Sequence, residues 1–89
     1  MDFEWSEEKR LRTFEERGLD FKDASRAFDG RPVLTLPSPR GDEVRWLSIF
    51  VLDGRYISIV WTMRGEARRI ISMRRARRGE ERDYRQIHA

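Results

Sequence analysis

The sequence predicts an α+β fold in which N-terminal helices pack on a four-stranded antiparallel meander closed by a C-terminal helix. Three observations carry this. Two helix-capping signals fall within the first thirty residues, strand-like apolar alternation takes over from Val44, and Asp53-Gly54 splits that alternation at the place where a hairpin needs a turn. At 89 residues the chain holds one core, so residues 1–89 form a single domain.

Phe3 to Trp5 reads as a short opening strand. Ser6 is a good N-cap, and Glu7 and Glu8 sit in the first turn, where the helix dipole favours acids. Leu11 and Phe14 fall three apart on one face of this helix, and Gly18 supplies its left-handed stop, giving a helix over 6–17. Asp20 caps a second, shorter helix whose apolar stripe is Phe21, Ala24, Ala27 and Phe28. Val33 to Leu36 is a strand, and two prolines and a glycine make 37–42 a loop.

The strongest local signal is the hairpin of Val44 to Leu52 and Arg55 to Met63, since Asp-Gly tolerates the positive φ angles of a type I′ turn. A two-residue turn pairs Phe50 with Ile57, Ser48 with Ile59 and Trp46 with Trp61 on the core face. The opposite face carries Arg45, Leu47, Ile49, Val51, Tyr56, Ser58, Val60 and Thr62 and is only half polar, so a partner element is expected over it. A turn at Arg64-Gly65-Glu66 leads to a last strand, Ala67 to Met73, and Arg77 to Ile87 is a charged helix anchored by Tyr84 and Ile87. Strict alternation in the last strand places Arg69, Ile71 and Met73 on one side and Arg68, Ile70, Ser72 and Arg74 on the other.

Composition narrows the chemistry. There is no cysteine, which removes disulfides, thiolate metal sites and a cysteine nucleophile. The single histidine, His88, argues against metal ligation, a Ser-His-Asp triad or paired-histidine catalysis. No glycine-rich phosphate loop is present, and no cofactor is expected. No apolar run approaches membrane-spanning length and the N-terminus is acidic, so a cytoplasmic protein without a membrane partner is expected.

The charge is divided along the chain. Residues 1–30 carry nine acids against six bases, and residues 31–89 seven against thirteen. Only Lys9 and Lys22 are lysine, so the positive charge is almost wholly guanidinium, a planar group suited to phosphate. The plain alternative is a solvated arginine surface reflecting a GC-rich genome. RNA can be cut without metal when the 2′-hydroxyl attacks the adjacent phosphate, provided cations hold the phosphate oxygens and a group moves a proton. Arginines meet the first need. For the second, Lys9, Tyr84 and Glu43 are candidates, each with a structural reading as helix residue, helix anchor or strand-end ion pair. Trp5, near Lys9, is a candidate for base stacking, whereas Trp46 and Trp61 are read as core.

Along nearly its whole length the sequence resembles the BrnT toxins, small ribonucleases of toxin-antitoxin pairs with a RelE-like fold. The resemblance rests on Phe3-Glu4-Trp5 with Glu8-Lys9, Gly18-Leu19-Asp20-Phe21 with Ala24 and Phe28-Asp29, and Arg45-Trp46. It continues through Thr62-Met63-Arg64-Gly65, Arg69-Ile70-Ile71-Ser72, Arg74-Arg75-Ala76, Arg78, Glu80 and Tyr84. It implies a metal-independent ribonuclease that acts on RNA and is neutralised by a BrnA-like ribbon-helix-helix antitoxin, with DNA met only through the complex that represses its own operon. It selects Arg64, Arg74 and Arg75 as phosphate-holding or catalytic candidates, with Lys9, Glu43 and Tyr84 beside them. Arg69, Arg78, Arg82 and Trp5 are then expected to contact RNA. Members often carry Asn and His where Thr13 and Arg17 stand, and a histidine near Gly41. Those absences leave the proton carrier open and keep a second reading in view, a catalytically silent partner that sharpens operator binding.

Overall fold

The computed structural model describes residues 2–88 and shows strand β1 (Phe3–Trp5), helix α1 (Glu7–Arg17), a 3-10 helix (Phe21–Phe28), strands β2 (Val33–Pro37), β3 (Trp46–Leu52), β4 (Arg55–Arg64) and β5 (Ala67–Arg75), and helix α2 (Arg78–Ile87). The local signals act as expected. Ser6 Oγ accepts from Lys9 N–H at the start of α1, and Gly18 closes it at φ 69°. Asp53 and Gly54 both have positive φ, 51° and 78°, so the hairpin turn has the type I′ geometry. The register is also as expected, with Trp46, Ser48 and Phe50 opposite Trp61, Ile59 and Ile57.

The sheet corrects the expected four antiparallel strands. It has five, in the order β1-β5-β4-β3-β2, and it is mixed, because β1 runs parallel to β5 with Phe3 opposite Arg68 and Trp5 opposite Ile70. No turn signal announces such a pair, since a parallel partner is reached only through a long crossover. The second helix is 3-10 along its whole length rather than α, with Asp20 accepting from Lys22 N–H at its start.

One sheet face packs on the 3-10 helix. Phe21, Ala24 and Ala27 meet Phe50, Ile57, Ile59, Ile70 and Met73, all essentially inaccessible. Each large side chain removed from water in this way contributes roughly 1.5 to 3 kcal/mol. Ile70 and Met73 both belonging to this core overturns strict alternation in β5. Trp61 pairs with Ile70 and Val60 with Ser72, so Ile71 is an extra residue in a β-bulge. Arg69, Ser72 and Arg74 therefore share the opposite face, while Arg68, Ile70 and Met73 share the core face.

That opposite face is covered in part by the chain's own α2. Tyr84 is buried with its ring 5.5 Å from Tyr56, and Ile49 and Ser58 are inaccessible. Glu80 fastens the helix by accepting from Arg74 at 2.8 and 2.9 Å and from Ser58 Oγ at 2.9 Å. The expected partner element over this half of the sheet is thus internal. Helix α1 takes the edge of β5 that β1 leaves unpaired, with Arg17 donating to the Met73 carbonyl at 2.9 Å. Its inward line is polar, and Leu11 and Phe14 stand 53% and 54% exposed. Among the described residues no helix is long and apolar enough to cross a membrane.

Candidate active site

The part of the opposite sheet face that α2 leaves open is a cleft of about 340 Å³. Its floor is Val60, Ile71 and Ser72, and the bulge is what places Ile71 there. Lys9, one turn into α1, forms one side. Arg40 and Arg45, with Ser38 and Pro39, form the other. The segment 37–42, expected as a loop, is held tightly together with the residues up to Arg45. Arg40 and Glu43 exchange backbone hydrogen bonds at 3.1 Å across Gly41, and Ser38 N–H donates to the Arg45 carbonyl at 2.8 Å. This small hairpin aims Arg40 and Arg45 from the side opposite Lys9.

Charge collects here with incomplete compensation. Burial pushes the Lys9 ammonium below its ordinary value, and the positive charges of Arg45, Arg69 and Arg12 push it further. Arg45 donates to Glu43, and this pair holds the Glu43 carboxyl below the usual range, with Arg64 adding its field. Arg69 has only a loose ion pair, 3.9 Å from Glu4. The result is a shallow site with four cations, Lys9, Arg40, Arg45 and Arg69, around an apolar and hydroxyl floor.

The sequence candidates therefore separate. Lys9, Glu43 and Arg69 come together, and Arg64, exposed at the end of β4, stands at the mouth beside Glu43. Arg74 shares the face of the cleft, but its guanidinium is turned into the Glu80 pair under α2. Arg75 is exposed and lies opposite Ile57, on the core-face side of the sheet, and eight steps of β5 at ~3.3 Å put it ~26 Å along the strand from Ala67, the partner of Arg64. Arg78 and Arg82 are exposed on α2. Tyr84 anchors that helix away from the cleft. Trp5 packs against the core, donates from Nε1 to Glu7 at 3.0 Å and does not line the cleft.

Two residues were missed as site residues. Arg45 enters the sequence reading as a face position of the hairpin and as part of the Arg45-Trp46 resemblance, not as a site residue, although a base two residues after Glu43 on one strand face is a detectable pair. Arg40 sits in a Pro-Arg-Gly turn, and nothing in its neighbours points to the cleft.

Among the described residues no three His, Cys, Asp or Glu side chains converge as a metal ligand set. A larger cleft of about 420 Å³ near Asp29, Arg31 and Tyr84 has its cation committed, since Arg31 donates to Asp29 and to the Val51 carbonyl. A family model described as the ribonuclease toxin BrnT of type II toxin-antitoxin systems matches residues 5–80. No curated protein matches the chain.

Proposed function

The chain belongs to the BrnT family of ribonuclease toxins of type II toxin-antitoxin systems, and from that premise we propose that it cuts RNA in the cleft between α1 and the 40–45 hairpin. The observation that carries this reading is the placement of Lys9 across the cleft from Arg40 and Arg45 over the floor of Val60, Ile71 and Ser72, where partial desolvation and the charges of Arg45 and Arg69 lower its hold on the proton. In the proposed reaction the neutral Lys9 amine takes the proton of a ribose 2′-hydroxyl. The 2′-oxygen then forms a bond to the adjacent phosphorus as the P–O5′ bond breaks, leaving a 2′,3′-cyclic phosphate and, with a proton taken from solvent water by the departing oxygen, a 5′-hydroxyl; the Lys9 ammonium returns its proton to solvent. Arg45 and Arg69 hold the non-bridging oxygens, where negative charge grows in the transition state. Arg64 at the mouth and Arg40 on the hairpin hold flanking phosphates.

Lys9 thus fills the role left open by the histidines this sequence lacks. Arg75, Arg78 and Arg82 are reserved for RNA beyond the cleft, and Arg74 acts through the position of α2. The family resemblance carries with it a RelE-like fold, from which the parallel β1 is a departure, and a cytoplasmic setting with a ribbon-helix-helix antitoxin that brings the complex to DNA.

Purified protein is expected to cleave RNA in EDTA. Lys9→Met should lower the rate about 100-fold or more, the scale of a lost general base, and Arg69→Ala about as much, the scale of a lost oxyanion donor. Rate should rise with pH through the lowered Lys9 value, and Lys9→Arg should abolish that dependence. Undiminished cutting by Lys9→Met would reject the site. Intact RNA after long incubation with wild-type protein, with antitoxin binding retained, would turn the reading to a silent partner in operator binding.

A further inference from the structure

Unlike Arg69 and Arg74, Arg68 has no acid among the described residues, and unlike Arg75, which is exposed, it is half-buried. It lies on the core face, with its guanidinium carbon 3.8 Å above the Phe28 ring and 5.2 Å from that of Trp61. Its Nε is buried and finds no acceptor, and desolvation alone lowers its affinity for the proton. Stacking on aromatics supports the cation, but a buried donor left unpaired costs roughly 1 to 3 kcal/mol. The neighbours add a second peculiarity. Cross-strand pairing sets Phe3 and Met63 on either side of Arg68, and Met63 is 44% exposed. Val44, 62% exposed, joins Met63 in lining a cleft of about 400 Å³ that continues past Trp46 and Thr62 to Glu43 and Arg64. An apolar row with Arg68 at one end therefore runs around the end of the sheet to Arg64 at the mouth of the proposed active site.

We propose that this row is where the antitoxin docks, an acidic side chain of the antitoxin closing on the Arg68 guanidinium while an apolar side chain covers Met63 and Val44. The partner follows from family membership, and the continuity with the mouth rests on the cleft assigned above. Charge complementarity selects a protein segment over RNA: a phosphate chain needs closely successive cations, and this row sets exposed apolar groups, Met63 and Val44, between Arg68 and Arg64. A segment anchored at Arg68 and rounding the end of the sheet reaches Glu43 and Arg64, so occupying the row brings the antitoxin to the place where RNA enters.

The test is calorimetric titration of the antitoxin encoded with this chain into the full-length protein. Arg68→Gln and Met63→Asp are each expected to weaken binding tenfold or more, and Arg68→Lys less, while RNA cleavage by all three stays within twofold of wild type. Met63 is exposed, so Met63→Asp reports even if Arg68→Gln unfolds. Affinity within twofold of wild type for both Arg68→Gln and Met63→Asp would overturn the proposal. So would loss of cleavage with antitoxin affinity intact, which would hand the row to RNA. Lys9→Met, titrated in parallel, keeps its antitoxin affinity whether or not it cuts, so failure of the cleft and failure of the row are read separately.

Discussion

Glu80 is the residue through which α2, Ser58 and Arg74 are joined. Its carboxyl is held at about 2, chiefly by hydrogen bonds from Arg74 and further by Arg77 N–H and Ser58, against the opposing effect of burial. A carboxyl whose value is depressed on folding stabilises the fold fully above its unfolded value, and that contribution fades as pH falls toward the folded value. Here the window runs from the ordinary 4.5 down to about 2. Glu80→Gln is expected to cost on the order of 2 kcal/mol at pH 7, the scale of hydrogen bonds to a charged group. The gap from wild type should close as pH approaches 2. Urea unfolding at pH 7 and near pH 2.5 measures it, and a gap unchanged between the two would show that Glu80 acts by shape rather than charge. The same pair explains why Arg74, a plausible phosphate ligand in the sequence, is a poor one in the fold. Its acid lies six residues on, across the start of a helix, and pattern alone does not reveal that the two meet.

At the scale of elements, α1 inverts the usual relation between apolar residues and packing. Arg10 bridges Glu7 and Asp20, and Arg17 reaches the Met73 carbonyl, so the helix is fastened through guanidinium groups. Leu11→Ser and Phe14→Ser should therefore change stability by no more than about 0.5 kcal/mol, the range for surface positions. Phe50→Ala, in the core, should cost about 3 to 5 kcal/mol. Chemical denaturation of the three variants compares them, and a loss above ~1.5 kcal/mol for Phe14→Ser would mean that α1 packs differently. Caps, the Asp53-Gly54 turn and the β3–β4 register were legible because each is decided by residues within a few positions of one another. The parallel β1–β5 pair and the bulge at Ile71 were not. The first joins segments more than sixty residues apart, and the second depends on which of two consecutive isoleucines the Trp61 ring selects as its neighbour.

For the whole molecule, the acidic first third and basic remainder do not stay apart, because folding interleaves them. Lys9 comes from the acidic segment and Arg45 and Arg69 from the basic one, and the site exists only where they meet. Lys9 was legible as a candidate because few residues in this sequence can carry a proton, and the family resemblance kept it, whereas its surroundings needed the crossover that carries α1 to the edge of β5. If the cleft holds RNA through the four guanidinium groups of Arg40, Arg45, Arg64 and Arg69, binding should release counterions accordingly. Single strands give a slope of log K against log salt of about −0.7 per phosphate contact, so a slope near about −2.8 is expected. A short uncleavable 2′-O-methyl RNA that spans the cleft alone allows the measurement by fluorescence anisotropy. Arg69→Ala should bring the slope to about −2.1, while Arg75→Ala and Arg78→Ala, which lie beyond so short an RNA, leave it where it was. The reverse pattern, with the slope falling for Arg75→Ala and unmoved by Arg69→Ala, would place the RNA on the far end of β5 and remove Lys9 from reach of the scissile phosphate.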